Sequence, residues 1–359
     1  MKTIDVKLMS SSYQIFIERG ILKNIGEKIK EIYHGNKIAI ITDENVDGFY
    51  GEIIEQQLEK EGFSLVKIAM KPGEKTKTME SLQFLYDKLL DFGINRGSLI
   101  IALGGGVIGD LSGFCAATLM RGISYIQIPT SLLAQIDSSI GGKVAVNHQK
   151  GKNLIGSFYH PKAVFIDPDV LFTLDKRHFC DGMGEVIKYG LIKDKELYEM
   201  LVKLEGYDDF MRHADEIIYR CCSIKRDVVE KDDRDMNLRM ILNFGHTLGH
   251  AIEKVKNYEG ITHGEAIAVG MYNITLASEK MGITSIGTSE KIKHILEKFQ
   301  LPYLLDEDRG DIERAILMDK KNMNDKISLI FIPDIGESII RKIPSGDVGK
   351  YLFDTMEEK

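Results

Sequence analysis

Three histidines and a glutamate in the second half of the chain have the residue types and spacing of a metal site. His246 and His250 are four residues apart in LNFGHTLGHAIE, with Glu253 one turn further on, His263 follows in THGEAIAVG, and Glu185 lies in MGEVIKYG. Two histidines and a carboxylate bind Zn²⁺ or a similar divalent ion and leave positions open for substrate oxygens. We expect these residues in glycine-rich helix starts, where other groups can approach closely. A lone helical histidine is more often structural, and although spacing pairs His246 with His250, it does not decide which histidines bind the metal.

Basic and amide side chains in the same half of the chain indicate an anionic substrate. Arg239 and Asn243 are four residues apart, and Lys188 is three residues from Glu185, so each pair shares one helical face. Arginine binds carboxylate or phosphate as a fork, and lysine binds them as a point charge. Each residue taken singly is more often a solvated surface charge, so the prediction depends on the set. The set comprises Lys225, Arg239, Asn243, Lys320 and Lys321.

A glycine-rich segment, IALGGGVIGDLSGF, follows a predicted strand and opens a predicted helix. Gly104, Gly106 and Gly109 have the G-x-G-x-x-G spacing in which backbone amides approach a pyrophosphate at a helix N-terminus. Tight turns and close helix packing use glycines in the same way, and the spacing alone does not separate the two interpretations. Asp43 and Asn45 follow an earlier strand, at the position where parallel sheets hold a ribose or adenine. For either residue alone, an Asx turn is the more common role.

A long segment between two predicted strands, IPTSLLAQIDSSIGGKVAVNHQKGKNLIGSFYHP, embeds single polar and charged residues among glycines and apolar residues. A solvated loop scatters its charges, whereas isolated charges in this setting suit the binding of a phosphate or hydroxyl. The alternative is a glycine-rich connector with incidental lysines. The residues concerned are Thr130, Ser131, Asp137, Lys143, Lys152 and Asn153.

Length, charge and cysteine content limit the class of protein. A chain of 359 residues with 43% hydrophobic residues is long enough for a large core and about two domains. The net charge of −7 and the pI near 5.8 argue against nucleic-acid binding, which needs a basic surface. No cleavable apolar leader and no bilayer-length apolar stretch is present, so we expect a soluble cytoplasmic protein. The four cysteines form no CxxC pair and are predicted to be buried or partly buried thiols.

The first half of the chain alternates short β-branched runs with stretches of helical spacing. This order is typical of βαβ units on a mainly parallel sheet that is buried on both faces, and it predicts an α/β domain at residues 1–175. Polar and apolar residues alternate in 3–8 and 13–18, which predicts an opening hairpin. The other strand runs are 37–42, 64–70, 98–103, 124–129 and 163–167.

The pattern after residue 175 is nearly all helical up to about residue 320. We therefore predict a mainly helical domain at 176–359, carrying the metal and substrate residues. Its elements include amphipathic helices at 214–229 and 244–255, and a hairpin of 327–332 with 338–343.

Six segments in sequence order resemble the motifs of the 3-dehydroquinate synthase family, within the sugar phosphate cyclases. They are GGGVIGDLSGFCAATLMRGI, IPTSLLAQIDSSIGGKVAVN, GKNLIGSFYHP, GMGEVIKYG, LNFGHTLGHAIE and HGEAIAVGM. The resemblance implies an N-terminal NAD-binding domain with a Rossmann-like, mainly parallel sheet, followed by a helical metal-binding domain. It also implies a homodimer in which Arg121 reaches the site of the partner subunit.

The resemblance also assigns roles to individual residues. It places the metal on Glu185, His246 and His263, and moves His250 to the substrate. For NAD it points to Asp43, Asn45, Glu74, Lys77, Gly105, Gly106, Val107, Asp110, Thr130, Ser131, Lys143, Lys152, Phe172 and Thr173. For substrate it points to Asp137, Lys152, Asn153, Arg121, one of Lys320 or Lys321, and the catalytic candidates Lys143, Lys188, Lys225, Arg239, Asn243 and His250. Departures from the residues common in the family occur at Ser131, Val144 and His160 and leave the metal and cationic sets intact.

The implied reaction converts 3-deoxy-D-arabino-heptulosonate 7-phosphate to 3-dehydroquinate and phosphate. NAD accepts a hydride from C5 and later returns it, and the transient C5 ketone acidifies the C6 proton so that phosphate leaves. Ring opening and an intramolecular aldol step then close the carbocycle, and a Zn²⁺ or Co²⁺ ion assists at the C4 and C5 hydroxyls. Related alternatives are 2-deoxy-scyllo-inosose and aminodehydroquinate synthases, against which stands the retained carboxylate-binding set. A metal-dependent polyol dehydrogenase, which releases NADH, shares the two-domain plan.

Overall fold

The computed structural model describes residues 1–8, 11–234, 238–319 and 325–353. The chain divides into two compact units, Met1–Asp175 with Ala214–Arg234 and Lys176–His213 with Asp235–Lys359. The sequence assigned 176–359 continuously to a second domain, whereas the structure groups Ala214–Arg234 with the first unit. Lys320 and Lys321 lie outside the described residues.

The strands and helices of the described chain are numbered in sequence order. The strands are β1 Lys2–Lys7, β2 Ser12–Ile17, β3 Lys37–Asp43, β4 Ser64–Met70, β5 Leu99–Gly104, β6 Ser124–Pro129, β7 Lys143–His148, β8 Gly151–Phe158, β9 Ala163–Ile166, β10 Lys326–Phe331 and β11 Ile339–Pro344. The helices are α1 Ile25–Ile32, α2 Glu44–Val46, α3 Glu52–Lys60, α4 Met79–Asp91, α5 Gly106–Thr118, α6 Lys176–Ile192, α7 Lys195–Lys203, α8 Tyr207–Lys231, α9 His246–Val255, α10 His263–Lys280, α11 Thr288–Lys298, α12 Arg309–Asp319 and α13 Val348–Leu352.

Seven strands of the first unit form one sheet in the order β1-β2-β9-β6-β5-β3-β4. The pair β1 and β2 is antiparallel, with Lys2 opposite Ile17, and every other pair of neighbours in this sheet is parallel. The predicted opening hairpin and mainly parallel, Rossmann-like sheet are therefore confirmed. Since β4 lies on one side of β3 and β5 on the other, the direction of chain progression reverses between β3 and β5.

The alternation of side chains along the central strands explains the two hydrophobic layers of this unit. Successive residues of a strand point to opposite faces of the sheet. Ala39 and Ile41 of β3 accordingly pack with residues of α4 and α5. Ile38 and Ile40 pack in a second cluster with residues of α1 and α3. A sheet covered on both faces needs strands that are apolar throughout, and β5 is buried along its whole length.

The long polar segment after β6 is a short helical turn followed by a hairpin, and not an irregular connector. Residues Ala134–Ser138 form one turn of π-helix, and β7 then pairs antiparallel with β8.

The C-terminal part of α8 belongs to the same unit. Glu216 on this helix forms an ion pair with Lys2 of β1, and Asp215 forms one with Arg19 at 3.0 Å. These contacts explain why Ala214–Arg234 groups with the sheet.

The second unit is mainly helical and contains the predicted hairpin, in which Ile327 of β10 lies opposite Ile343 of β11, followed by the short helix α13. The helix predicted at 244–255 begins two residues later, at His246, because Gly245 has a left-handed backbone with φ 79°.

Three of the cysteines are buried and Cys180 is partly buried, as predicted. Within the described residues we find no helix that is both long and apolar enough to cross a membrane.

Candidate active site

Close helix crossings in the second unit bring the predicted metal residues together. Glu185 lies in the middle of α6, not at a helix start as predicted, whereas His263 is the first residue of α10. A Cβ on Gly264 would lie 1.9 Å from the carbonyl oxygen of Asp181, and one on Gly184 would lie 2.7 Å from the oxygen of Gly264. Only glycine permits these distances, so the backbones of α6 and α10 touch beside Glu185 and His263.

A second glycine crossing positions His246, the first residue of α9. A Cβ on Gly270 of α10 would lie 2.0 Å from the carbonyl oxygen of Gly245. Gly245 also supplies the left-handed turn immediately before His246. Each of the three side chains therefore follows or precedes a glycine at which two helices meet.

The three side chains converge on one carboxylate oxygen. The Nε2 atoms of His246 and His263 each lie 3.4 Å from Oε1 of Glu185, and the ligand atoms of the three groups are within 4.8 Å of one another. His250, Glu253 and His263 form a second, overlapping group by the same measure. His250 is exposed, whereas Glu185 is buried. Nitrogen and carboxylate donors at these distances fit a divalent transition-metal ion.

Both proposed histidine ligands have their other ring nitrogen near an acceptor. Nδ1 of His246 lies 3.1 Å from the carbonyl oxygen of Phe244, and Nδ1 of His263 lies 3.5 Å from Oε2 of the buried Glu253. A proton held on Nδ1 fixes the tautomer and leaves the Nε2 lone pair for a metal. The two contacts therefore aim both Nε2 atoms at the Glu185 oxygen.

Burial and charge act in opposite directions on these groups. Burial would raise the pKa of Glu185, but the Lys188 ammonium beside it and both histidines hold that pKa well below its usual value. Burial is also the main cause of the lowered pKa of His246. Burial disfavours the charged form of His263, yet Glu185 and Glu253 raise its pKa to about 10. A proton and a metal ion thus compete for the same nitrogen of His263.

The remaining predicted residues of the second unit lie close by in the sequence. Arg239 is buried and Asn243 half-buried in a short 3₁₀ helix, Leu238–Asn243, that immediately precedes the Gly245 turn. His250 lies on α9, where its ring centroid is 5.2 Å from that of His246.

Except for Lys143 and Lys152, which lie on β7 and β8, the residues predicted to bind NAD follow the carboxyl ends of neighbouring parallel strands. Asp43 ends β3, Gly105 follows β5 and Thr130 follows β6. Glu74 and Lys77 lie after β4, and the predicted pair 172–173 lies after β9. Since parallel strands end at one edge of a sheet, the structure gathers the set there, around the point between β3 and β5 where α/β folds bind ligands.

The glycine-rich segment supports the packing interpretation at two of its glycines, while pyrophosphate binding stays a prediction. A Cβ on Gly104 would lie 2.7 Å from Cβ of Ile108, and one on Gly109 would lie 2.8 Å from Oε1 of Gln127, so these two glycines serve close packing. Gly106 is the first residue of α5 and Val107 the second. The helix N-terminus at this position fits a pyrophosphate, because its first amides have no partner within the helix.

Several predicted NAD residues also have local structural roles. The Asp43 carboxylate accepts from the amides of Asn45 and Val46, which is the Asx turn considered as the alternative. The hydroxyl of Ser131 accepts from the amide of Ala134. The hydroxyl of Thr173 lies 2.7 Å from that of Tyr50, and Phe172 beside it is exposed.

A buried lysine joins residues that the sequence assigned to different ligands. Lys77 donates to Asp110 at 2.5 Å and also to the side-chain oxygen of Asn153. Burial raises the pKa of Asp110, although Lys77 opposes this. Lys225 on α8 is likewise buried and pairs with Asp137 at 2.8 Å. Within the first unit, the structure therefore brings Lys77, Asp110 and Asn153 together in one cluster and pairs Lys225 with Asp137.

Lys143 and Lys152 lie on the hairpin, Lys143 exposed at the start of β7 and Lys152 half-buried near the start of β8. Arg121 follows α5 in a left-handed turn, with φ 52° at Met120 and 67° at Arg121. Two such residues in succession cost free energy, which is typical of functional positions.

Sequence reasoning missed Asp181, which supports the metal residues, and Asn147 in the first unit, and it named Glu253 without assigning it a role. Asp181 accepts from the amide of Gly264 and Glu253 orients His263. Asn147 contacts both Glu74 and the backbone of Asn153. Asp181 lies four residues before Glu185, a spacing that marks a shared helical face and was available in the sequence.

Two family models match this chain in succession. The model described as 3-dehydroquinate synthase N-terminal matches residues 67–181, and that described as 3-dehydroquinate synthase C-terminal matches residues 182–322. The 3-dehydroquinate synthase of Clostridium acetobutylicum is 52% identical over 353 residues, covering 98% of this chain and 99% of the relative. The enzyme of the same name from Enterococcus faecalis is 46% identical over 352 residues, covering 97% and 98%.

Solved structures with the same architecture include other sugar phosphate cyclases. A 2-deoxy-scyllo-inosose synthase complexed with carbaglucose-6-phosphate, NAD⁺ and Co²⁺ matches with a TM-score of 0.86 at 25% identity, covering 99% of this chain and 100% of that one. The 2-epi-5-epi-valiolone synthase of Streptomyces hygroscopicus with bound NAD⁺ and Zn²⁺ matches with 0.87 at 25%, covering 97% and 98%. An iron-containing alcohol dehydrogenase shares the fold alone, with 0.64 at 12%, covering 95% and 97%. Family models over most of its length, and relatives about half identical along nearly their whole length, show that this chain belongs to the 3-dehydroquinate synthase family.

Proposed function

We propose that the chain is a carbon–oxygen lyase that converts 3-deoxy-D-arabino-heptulosonate 7-phosphate to 3-dehydroquinate and phosphate. The observation that carries the proposal is the convergence of Glu185, His246 and His263 in a chain 52% identical to a curated 3-dehydroquinate synthase. The reaction so proposed belongs to the shikimate pathway, which leads to chorismate and the aromatic amino acids.

The cofactors follow from the neighbouring cyclases, which bind NAD⁺ with Co²⁺ or Zn²⁺. NAD bound to this chain would supply a reversible hydride acceptor, and a divalent ion would supply a Lewis acid for the substrate hydroxyls, with no net redox change. Glu185, His246 and His263 would hold the ion, and the amides at the start of α5 would face the NAD pyrophosphate.

In the second unit, we assign proton transfer and carboxylate recognition to the chain's own side chains. His250 is exposed on α9 and accepts the C5 hydroxyl proton directly or through a water molecule. Arg239 and Asn243 suit the substrate carboxylate, because a guanidinium binds both of its oxygens at once. The Lys188 ammonium beside Glu185 holds the pKa of that carboxyl well below its usual value.

In the first unit, we assign the phosphate to Lys143, Asn153 and, in a homodimer, Arg121 of the other subunit. The leaving phosphate itself would take the C6 proton, so this part of the chain has only to bind and orient it. Lys225, which pairs with Asp137 at 2.8 Å, is a further basic residue of this unit that we assign to the substrate. The homodimer and the cytoplasmic location stay predictions.

The test follows phosphate and NADH together in purified protein supplied with the heptulosonate phosphate, Zn²⁺ or Co²⁺ and a small amount of NAD⁺. We expect phosphate in large excess over NAD⁺, no accumulation of NADH, and loss of turnover on chelation. His246→Ala should abolish turnover, while Glu290→Gln, on the exposed face of α11, should not.

Two outcomes would replace the proposal with another function. NADH formed in proportion to product would indicate a metal-dependent polyol dehydrogenase; an iron-containing alcohol dehydrogenase has the same fold as this chain. Phosphate released from glucose 6-phosphate but not from the heptulosonate would indicate a cyclase of the 2-deoxy-scyllo-inosose type.

A further inference from the structure

Asn147, near the end of β7, contacts residues that we assign to NAD and a residue that we assign to the substrate phosphate. Its Nδ2 donates to Oε1 of Glu74 at 2.7 Å, and its Oδ1 accepts from the backbone amide of Asn153 at 3.0 Å. Its own amide donates to the carbonyl of Lys77 at 2.8 Å. Glu74 and Lys77 are assigned to NAD and Asn153 to the substrate phosphate, so one side chain joins the two sets.

The pairing of β7 with β8 explains why this side chain is needed. Val146 lies opposite Ile155 and His148 opposite Gly151, so residues 152–154 of β8 bulge opposite the single Asn147. Bulges re-aim side chains, and this one contains Lys152 and Asn153. Without a partner for its backbone, a bulge of this size has no fixed shape.

Asn153 occupies a strained backbone conformation within the bulge. Its φ is 57°, in the left-handed region that asparagine tolerates better than most residues. Its amide is held by Asn147, and its side-chain oxygen accepts from Lys77, which also binds Asp110. The side chain of Asn153 is thereby tied to Lys77, which is assigned to NAD, and its backbone is tied through Asn147 to Glu74, which is also assigned to NAD.

We propose that Asn147 is a positioning residue that couples NAD binding to the placement of Asn153 for the substrate phosphate. This inference rests on the proposed function. A ligand that orders Glu74 and Lys77 also fixes Asn147, and Asn147 in turn fixes the bulge. Phosphate binding then has to remove less conformational freedom from the bulge. By linkage the effect is reciprocal, so phosphate should tighten NAD binding by the same factor.

The experiment uses two variants of the full-length protein that change the two side-chain contacts of Asn147 in different ways. Asn147→Asp keeps the acceptor for the Asn153 amide but replaces the donor to Glu74 with a second carboxylate. Asn147→Ala removes both contacts without adding charge. Asn95→Asp is the matched control, because Asn95 makes the same kind of turn contact, to the amide of Gly97, before β5 at the opposite edge of the sheet.

The dissociation constant of NAD⁺ is measured with and without inorganic phosphate, and KM is measured for the heptulosonate phosphate. We expect Asn147→Ala to raise both constants about tenfold, the equivalent of one or two lost hydrogen bonds, and to abolish any effect of phosphate on NAD⁺ affinity. Asn147→Asp should weaken NAD⁺ at least as much as Asn147→Ala. Adding Glu74→Gln to Asn147→Asp should recover part of this loss, because the new amide can donate to the new carboxylate. A purely structural role would lower the folded fraction and leave the constants of the folded protein unchanged.

Each outcome decides the inference separately from the proposed function. Unchanged constants in both variants, or a loss of the same size in Asn95→Asp, would overturn it. A raised NAD⁺ constant with unchanged KM and unchanged phosphate coupling would overturn the link to Asn153. If the wild-type protein binds NAD⁺ and phosphate but forms no product, the proposed function fails while the binding measurements still test Asn147.

Discussion

Glu253 orients the proposed ligand His263, so we expect a change at Glu253 to alter the metal affinity of the site. Oε2 of Glu253 lies 3.5 Å from Nδ1 of His263, and the Glu253 side chain is only 7% exposed. His246 has its own support from the Phe244 carbonyl, which a change at Glu253 does not touch. The perturbation therefore loosens one of three proposed ligands and removes none of them.

The expected magnitude follows from this partial loss. Partners that orient metal-binding histidines typically contribute 10- to 100-fold in affinity, or about 1.4 to 2.7 kcal/mol. Glu253→Gln keeps a neutral acceptor for the Nδ1 proton and should weaken Zn²⁺ or Co²⁺ binding about tenfold. Glu253→Ala removes the acceptor and should approach a hundredfold loss. The graded order distinguishes orientation from a general loss of stability.

The assay is competition with a chromophoric chelator at fixed pH, together with the visible spectrum of the Co²⁺-loaded protein. The spectrum reports ligand geometry independently of turnover. Glu290→Gln is the matched control, since it makes the same substitution at an exposed position of α11. Metal affinities of both Glu253 variants within threefold of wild type, with unchanged Co²⁺ spectra, would refute the proposed orientation of His263.

Three further predictions concern packing and charge. Gly264→Ala should destabilise the protein by about 3 kcal/mol and lose the metal, because the added methyl would overlap a backbone oxygen of α6, while Gly346→Ala, with open space around it, should be near neutral in chemical unfolding. Lys188→Met leaves Glu185 buried without its ammonium, so the metal-free protein should lose about 3–5 kcal/mol, and Zn²⁺ should raise its Tm by more than it raises that of wild type. A hydrogen bond from Lys2 lowers the pKa of Glu216. The contribution of Glu216 to folding stability is therefore present above its unfolded pKa and is lost as pH falls through the lower folded pKa. Since its side chain is 39% exposed, Glu216→Gln should cost only about 0.5 kcal/mol in urea unfolding at neutral pH, and the difference should vanish in acid; a constant difference would contradict it.

Much of the first unit could be predicted from the sequence, because local pattern and buried surface agree there. The strands predicted at 64–70 and 124–129 match Ser64–Met70 and Ser124–Pro129 residue for residue. Strands buried on both faces must be apolar throughout, and the sequence records this directly. Glycines that end a strand or open a helix leave an equally direct record, as at Gly104 and Gly106.

The grouping of distant side chains depended on the tertiary structure. Helical spacing paired His246 with His250, because periodicity reports only which residues share a face of one helix. The structure brings His246 and His263 onto Glu185 through glycine contacts between helices, which no spacing within a helix encodes. The family resemblance had implied the same three residues.

The sequence by itself determined the elements, the family and the types of residue available for chemistry. Only the tertiary structure decided that Ala214–Arg234 groups with the first unit, that Glu253 faces His263, and that Asn147 holds the bulge beside Asn153. The physical reason is the distance along the sequence over which each interaction acts. Strand and helix patterns arise from neighbours within a few residues. A hydrogen bond between Asn147 and Glu74 spans 73 positions and exists only once the sheet has formed.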